Sequence, residues 1–362
     1  MAEQSFNPFS WSKAQKVIAP SDLSDVLPNV LEVRVPALAA FTDGQFLLAF
    51  DARMEPDPHL DWEKLGGAMA ADLPNPNSLL IMRGCEGEFS APEILRHGDP
   101  SMPTGYSDPA IISDGDRVCI VHARSRNVGF FGSQPLSAKD PANTLQIEVL
   151  LSSDRGQSWS SRCITHDVLG DFTGAFATSG HGVVIDGKWL IPLVAQRCDG
   201  TTTHVTISSS DQGQRWVAGT AVGVDMDETA YGINGNTLVL SARKTSAYAS
   251  GELGRWWAHS TDAGTTWSTP VFSPEPAAAA CNAALVSTSL GLVLCYSGKD
   301  RMGGFIAILR DGQWVDAGCF TQGPCGYVDA VVIDNTLVVV FEKAGELWLC
   351  STAIPHSSSL CP

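Results

Sequence analysis

The chain is short of positive charge, of tyrosine and of long apolar runs, and each shortage narrows what it can do. Its 362 residues carry 23 Lys and Arg against 39 Asp and Glu, a formal charge of −16. Nucleic acid and anionic membrane surfaces select basic footprints, so neither is expected as a partner. An anionic small molecule would need a local cluster of arginines set into this acidic background. The longest apolar runs, such as LVVVF at 337–341, are of strand length, far below the roughly 20 residues of a membrane span, and no span is expected. The opening MAEQSFNPFSWSKAQ has no basic segment followed by an apolar one, so a cytoplasmic location is expected. Ten cysteines are present, but no CxxC pair and no Cys/His spacing of a zinc site. They read as buried free thiols, with Cys319 and Cys325 able to bridge in an oxidising compartment. HExxH and an EF-hand-like acidic loop are absent too, so no metal or cofactor is expected, and no GxSxG elbow stands in the right context for a serine hydrolase.

What is present is strand. Segments such as QFLLAFDAR, RVCIVHARS, KWLIPLVAQR, NTLVLSARK and NTLVVVFEK are short, β-branched or aromatic-rich, and separated by Gly, Asp, Asn and Pro turns. No convincing amphipathic helix appears, since SDLSDVLPNVLEV is interrupted by Pro28. The chain reads as all-β. Between its strands an octapeptide recurs: SSDRGQSW at 152–159, SSDQGQRW at 209–216 and STDAGTTW at 260–267. The aspartates are 57 and then 51 positions apart (154 to 211, 211 to 262), a period typical of repeated supersecondary units. Weaker echoes at RGCEGEFS (83–90) and LRDGQW (309–314) keep the rhythm. The length then holds about six units, within the four to eight blades of a propeller.

The recurring residues have structural reasons. A short Asp or Ser side chain accepts hydrogen bonds from its own turn, Gly takes a positive φ without strain, and Trp covers an apolar seam. A catalytic carboxylate has no cause to appear three times in equivalent places. The expectation is that Asp154, Asp211 and Asp262 shape turns and that the chemistry lies elsewhere.

The octapeptides match S-x-D-x-G-x-x-W and resemble the aspartate boxes of the sialidase superfamily, in its bacterial exo-α-sialidase form. The resemblance runs from about residue 30 to 350. It implies a six-bladed β-propeller of four-stranded antiparallel blades over 30–352, with an N-terminal extension, 1–29, packing on it and a tail at 353–362. VRVPALAAF resembles the family's Arg-(Ile/Val)-Pro motif and implies Arg34 as the first of three carboxylate-binding arginines. LSAR at 240–243 implies Arg243 as the second, and SGKDRMGG at 297–304 implies Arg301 as the third. AMAADLPNPNS resembles the loop carrying the general acid/base, which implies Asp72. GPCGYVDAVV implies Tyr327 as nucleophile, one of only five tyrosines, VDMDET implies Glu228 as its partner, and VVFEK implies Glu342 as the brace of the first arginine. GYSDPA implies Asp108 as a contact to a sugar hydroxyl, with Arg53 beside it, while Met69, Leu73 and Tyr106 are candidates for an N-acyl pocket.

These residue types suit the implied chemistry. Three guanidinium groups hold a carboxylate by charge-assisted, partly bidentate bonds that lysine does not reproduce. A phenol approaches an anionic substrate uncharged and becomes a nucleophile when a base takes its proton. Loop placement of the acid would shield it from water. The function implied is retaining exo-hydrolysis that releases terminal sialic acid from sialylated glycans or oligosaccharides through a tyrosyl-enzyme intermediate. The alternatives are hydrolysis of a related ulosonic acid, such as the deaminated form, and a non-catalytic propeller that binds acidic glycans. Two departures from the family pattern stand out: the eroded RGCEGEFS, expected to weaken scaffold and not chemistry, and TAYGI after Glu228.

Overall fold

A computed structural model describes residues 7–55, 71–85, 87–102, 104–136 and 141–355. Their strands form six sheets, built mainly of sequence-adjacent antiparallel strands, with the short Gly180–His181 added parallel to the inner strand of the second. The first blade is Val30–Ala40, Gln45–Met54 and Ser78–Cys85, edged by Glu88–Phe89 and Glu93–Arg96. The second is Gly105–Asp114, Arg117–Ser125, Gln146–Ser152 and Ser160–Cys163. In the third, Gly174–Ala177 and Val183–Ile185 together form the inner strand, followed by Lys188–Gln196, Thr202–Ser209 and Val217–Ala218. The fourth is Met226–Asn234, Thr237–Lys244, Arg255–Ser260 and Val271–Ser273. The fifth is Ala284–Thr288, Gly291–Ser297, Met302–Arg310 and Gln313–Pro324. This is the six-bladed propeller that the repeat spacing and the resemblance led us to expect.

The sixth blade differs in how it is made. Val328–Ile333, Thr336–Lys343 and Glu346–Ala353 come from the end of the chain, and Gln15–Ile18 from its beginning adds the outer strand against Glu346–Ala353. Residues 15–18, placed by the sequence in an extension, instead complete a blade, because an outer strand needs a pairing partner and the edge of Glu346–Ala353 offers one. Strand exchange between the two ends thereby closes the ring.

Packing explains why so many strands read as continuous apolar runs rather than alternating ones. Each sheet is covered on both faces by its neighbours, so Phe46 to Ala52 are buried without a break. Six apolar clusters fill the six seams between adjacent blades. Nine cysteines among the described residues are free thiols, Cys319 and Cys325 included.

All three octapeptides occupy the same place, the turn from the third to the fourth strand of blades two, three and four, and the two eroded echoes occupy it in blades one and five. In the second copy Ser209 Oγ donates to Asp211 Oδ1 (2.9 Å) and accepts from Gly213 N (2.8 Å), while Asp211 Oδ1 also accepts from Arg215 N (2.8 Å). Ser152–Asp154 and Ser260–Asp262 repeat the pattern. Hydrogen bonds from Ser158 and Thr266 to the ionised carboxylates pull Asp154 and Asp262 down to about 2. Gly213, at φ +84°, brings the turn so close to the preceding blade that a Cβ would lie 2.6 Å from Leu151. The tryptophan then enters the seam: Trp159 packs between blades one and two, Trp216 between two and three, Trp267 between three and four.

Two tests follow from this packing. Trp216, only 2% exposed, fills the second seam, and Trp216→Ala should cost about 3–5 kcal/mol in urea unfolding while leaving ligand binding intact at temperatures where the variant is folded. His204 is fully buried, and burial pulls it down to about 3. An unfolded imidazole titrates near 6.5, so below that pH the unfolded chain takes up a proton that the fold excludes, and stability is lost as the pH falls. His204→Gln should be less stable than the wild type at pH 8, with the gap narrowing as the pH is lowered from about 6.5 towards 4.

Candidate active site

The inner strands are regular along most of their length and irregular at one end. Register shifts interrupt the first-to-second strand pairing between Arg34 and Ala37, between Ser107 and Ala110, and between Met226 and Thr229. Left-handed backbone accompanies each: Val35 at φ 52°, Asp108 at φ 58° and Asp225 at φ 60°. Bulges of this kind re-aim side chains, and a β-branched residue such as Val35 adopts positive φ only where its surroundings over-determine it. At these irregular ends a single pocket is lined by Arg34, Arg53, Asp72, Asp108, Glu228, Arg243, Arg301 and Tyr327. Eight of the nine candidates thus meet in one pocket, and the ninth, Glu342, is buried directly behind it.

Glu342 is the joint of the cluster. Its Oε1 accepts from Arg34 Nε (3.1 Å) and from Val35 N (2.8 Å), and its Oε2 from Arg34 Nη2 (3.3 Å) and Tyr327 N (3.1 Å). Burial pushes this carboxyl up, but the Arg34 charge and the two backbone donors outweigh it and hold the group below its ordinary value. Gly326 has no room for a side chain here, since a Cβ would lie 2.2 Å from Glu342 Oε2.

Tyr327 stands at the centre. Its hydroxyl donates to Glu228 Oε1 at 2.6 Å and accepts from Arg243 Nη1 at 3.1 Å. The guanidinium groups of Arg34 and Arg301 lie over its ring at 5.3 and 5.6 Å. Burial raises the phenol well above its usual value despite the Arg243 charge, so the resting group is neutral. Glu228 is pushed up to about 7 by burial, against the pull of Arg243 and with a further push from Asp227. Arg243 serves both acids: Nη2 to Asp227 Oδ2 at 3.1 Å and Nη1 to Glu228 Oε2 at 3.0 Å. Arg301 forms no ion pair among the described residues, which leaves its charge available to a ligand.

The other wall is acidic. Arg53 donates to Asp72 Oδ1 and lies 3.5 Å from the fully buried Asp51, which also receives the Ser107 hydroxyl. Burial raises Asp108 in spite of Arg53 nearby. Asp72, with about a quarter of its side chain exposed, faces the pocket from the loop before the strand Ser78–Cys85. Between blades two and three the lining turns apolar, with Leu73, Phe130, Phe131, Leu145 and Phe176.

Several of these residues were not singled out from the sequence. Asp227 and Asp51 sit beside named candidates in VDMDET and DAR, so an acid next to a site residue was the available signal. The phenylalanines of GFFG and GAFA carried none, because apolar residues in such turns and strands usually pack. Tyr106 does not line the pocket; it packs against His122, with ring centroids 5.8 Å apart, because as a neighbour of Ser107 it points to the other face of the strand. Met69 lies outside the described residues. Among the described residues no group of three or more His, Cys, Asp or Glu side chains is arranged to hold a metal ion, and no helix is long and apolar enough to cross a membrane.

Replacing Glu342 tests the joint. Glu342→Gln keeps the shape but leaves Arg34 without its buried counter-charge, and a loss of about 3 kcal/mol in urea unfolding is expected. A loss below about 1 kcal/mol would show that the clasp contributes little.

Comparison with known proteins gives three relevant likenesses. No family model matches the chain. A curated sialidase of Micromonospora viridifaciens is 33% identical over 209 residues, 54% of this chain and 30% of its own length. The chain therefore spans about a third of the length of that relative. Among solved structures, a Hadza microbial sialidase superposes with a TM-score of 0.74 at 20% identity, covering 90% of this chain and 66% of the other. The intramolecular trans-sialidase of Ruminococcus gnavus, in complex with oseltamivir carboxylate, superposes with a TM-score of 0.70 at 13% identity, covering 95% and 97%. The chain is thus similar in sequence to a curated sialidase over about half its length, and similar in fold to these solved structures over nine tenths of it or more.

Proposed function

We propose that this propeller is a retaining exo-sialidase that releases terminal sialic acid from glycoconjugates through a tyrosyl-enzyme intermediate. One observation carries the reading: a buried, neutral phenol, Tyr327, donates at 2.6 Å to a carboxyl, Glu228, within a pocket ringed by Arg34, Arg243 and Arg301. That ring answers the question raised by the acidic composition, since it supplies the local positive charge an anionic sugar needs.

The steps balance as follows. The three arginines fix the substrate carboxylate, bringing the anomeric carbon to Tyr327. The phenol oxygen bonds to that carbon as its proton passes to Glu228, the glycosidic bond breaks, and the departing oxygen takes a proton from Asp72. Water then attacks the same carbon, Asp72 receives the water's proton, the carbon–tyrosine bond breaks, and Tyr327 regains its proton from Glu228. A base raised to about 7 is well matched to this exchange near neutral pH. Asp72 is paired with Arg53, so its acid role requires that pair to loosen as substrate enters. A tyrosine nucleophile in place of a second carboxylate is known for sialidases.

The apolar wall of Leu73, Phe130, Phe131, Leu145 and Phe176 favours a substrate bearing an acyl group over its deaminated counterpart. An N-acyl methyl buried there is stabilised by about 1 kcal/mol, whereas a hydroxyl would lose hydrogen bonds to water. A panel of aryl ulosonosides would compare the two.

The decisive experiment is to trap a 2,3-difluorinated sialosyl adduct and map the labelled residue by mass spectrometry. Label on Tyr327, together with a fall in kcat of about a thousand-fold or more in Tyr327→Phe, is expected. Label elsewhere, or hydrolysis that survives the substitution, overturns the mechanism. Binding of sialylated glycans without any turnover by the wild type would favour the non-catalytic alternative.

A further inference from the structure

One strongly buried charge has no place in the chemistry above. Arg255 opens the third strand of blade four, and no part of it reaches solvent. Its guanidinium spends its donors on neutral acceptors only: Nε on Ser241 Oγ at 2.6 Å, Nη2 on Ser241 O at 3.2 Å and Nη1 on Cys281 O at 2.9 Å. No carboxylate pairs with it among the described residues. A buried cation without a counter-charge is costly, and such groups persist where something else compensates them.

Register shows what stands nearby. Ser241 pairs with Trp257 and Ala242 with Trp256, so the same ladder continued by one step sets Arg255 opposite Arg243. Two cations directly across a strand pair repel each other. On the other side of Arg243, however, stand two buried carboxylates, Asp227 and Glu228, 5% and 2% exposed, that among the described residues share Arg243 as their one ion-pair partner. Two acids against one base leave an uncompensated negative charge, and Arg255 restores the balance. The strongest influences on Glu228 are Arg243, Asp227, the Tyr327 hydroxyl and Asp108, with Arg34 and Arg301 lining the same pocket and Arg255 in the layer behind.

We propose that Arg255 is a positioning residue whose buried charge balances the second carboxylate of the Asp227–Glu228 pair and so keeps Glu228 able to receive the Tyr327 proton. The inference rests on the roles given to Tyr327 and Glu228 above. It also explains why arginine rather than a hydrocarbon occupies this interior position, since hydrogen bonds to Ser241 and Cys281 alone could be dispensed with together with the charge.

Charge and hydrogen bonding can be separated by substitution. Infrared difference spectroscopy across a pH titration reads the protonation of Glu228 directly, with its carboxyl band assigned by Glu228→Gln. In Arg255→Gln the Glu228 midpoint should rise by about one pH unit. In Arg255→Lys, which keeps the charge and loses most of the hydrogen bonds, it should stay within a few tenths of a unit, as it should in Ser241→Ala. The acidic limb of kcat/KM on an aryl sialoside should move with the midpoint. Should Arg255→Gln not fold, the neutral-balance variant Arg255→Gln/Asp227→Asn is compared with Asp227→Asn alone, and its Glu228 midpoint should again be higher by about a unit. An unmoved midpoint in both comparisons, or an equal shift in Arg255→Lys, overturns the proposal. Wild-type protein without turnover would instead overturn the functional reading, and the infrared titration would still decide the part played by Arg255.

Discussion

The carboxylate of Glu342 joins what the chain keeps furthest apart. It comes from the sixth blade, and it grips the guanidinium of Arg34 and the amide of Val35 on the first blade, together with the amide of Tyr327 on its own. The ring of blades closes at that seam, so one side chain links the closure to the relative placement of Tyr327 and Arg34. The bulge at Arg34–Ala37 makes this possible. It turns the Val35 N–H away from the ladder, and Glu342 is the acceptor that satisfies it. Strain at Val35, a β-branched residue at positive φ, is held in place by that bond and by packing against Tyr327, Ala279 and Cys281.

From this joint the division of labour between scaffold and site follows. Seams between blades are filled by apolar clusters, and each octapeptide tryptophan enters the seam with the blade before it. A scaffold assembled from six similar wedges positions its inner strand ends without help from the reacting groups. Those ends are then free to carry bulges and buried charges that would be unaffordable in an ordinary sheet. The octapeptide aspartates, bonded to their own turns, lie in the third-to-fourth strand turns and not among the residues lining the pocket.

How far the sequence could be read depends on which of these layers is asked about. Blade number was legible because SSDRGQSW and its returns recur at a nearly constant interval, and turn chemistry is local. The scattered candidates that line the pocket became legible through short motifs, Arg-Val-Pro at Arg34 and Gly-Tyr-Val at Tyr327, that resemble a family's pattern. Long-range consequences were not. Nothing in QKVI at 15–18 announces that it pairs with the last strand, because pairing of chain ends is decided by an open edge some 330 residues away. Nor did GFFG declare itself a pocket wall, or Tyr106 a packing residue; the first depends on which side of a turn meets the pocket and the second on which face of its strand does.

Electrostatics is the layer furthest from the sequence. RWWAHST reads as a plain strand beginning with an arginine, and an arginine at a strand end is usually a solvated charge. Only when the fold brings Asp227, Glu228, Arg243 and Arg255 together does the count of two acids and two bases emerge. The same logic governs Glu228 itself. A surface glutamate of ordinary acidity would hold its negative charge too firmly to exchange a proton with a phenol near neutral pH, whereas one buried beside Asp227 is raised to about 7 and accepts from the Tyr327 hydroxyl at 2.6 Å. Burial, which penalises the charged form, and the flanking guanidinium groups, which favour it, pull in opposite directions, and the proton exchange proposed for Tyr327 depends on keeping that contest close.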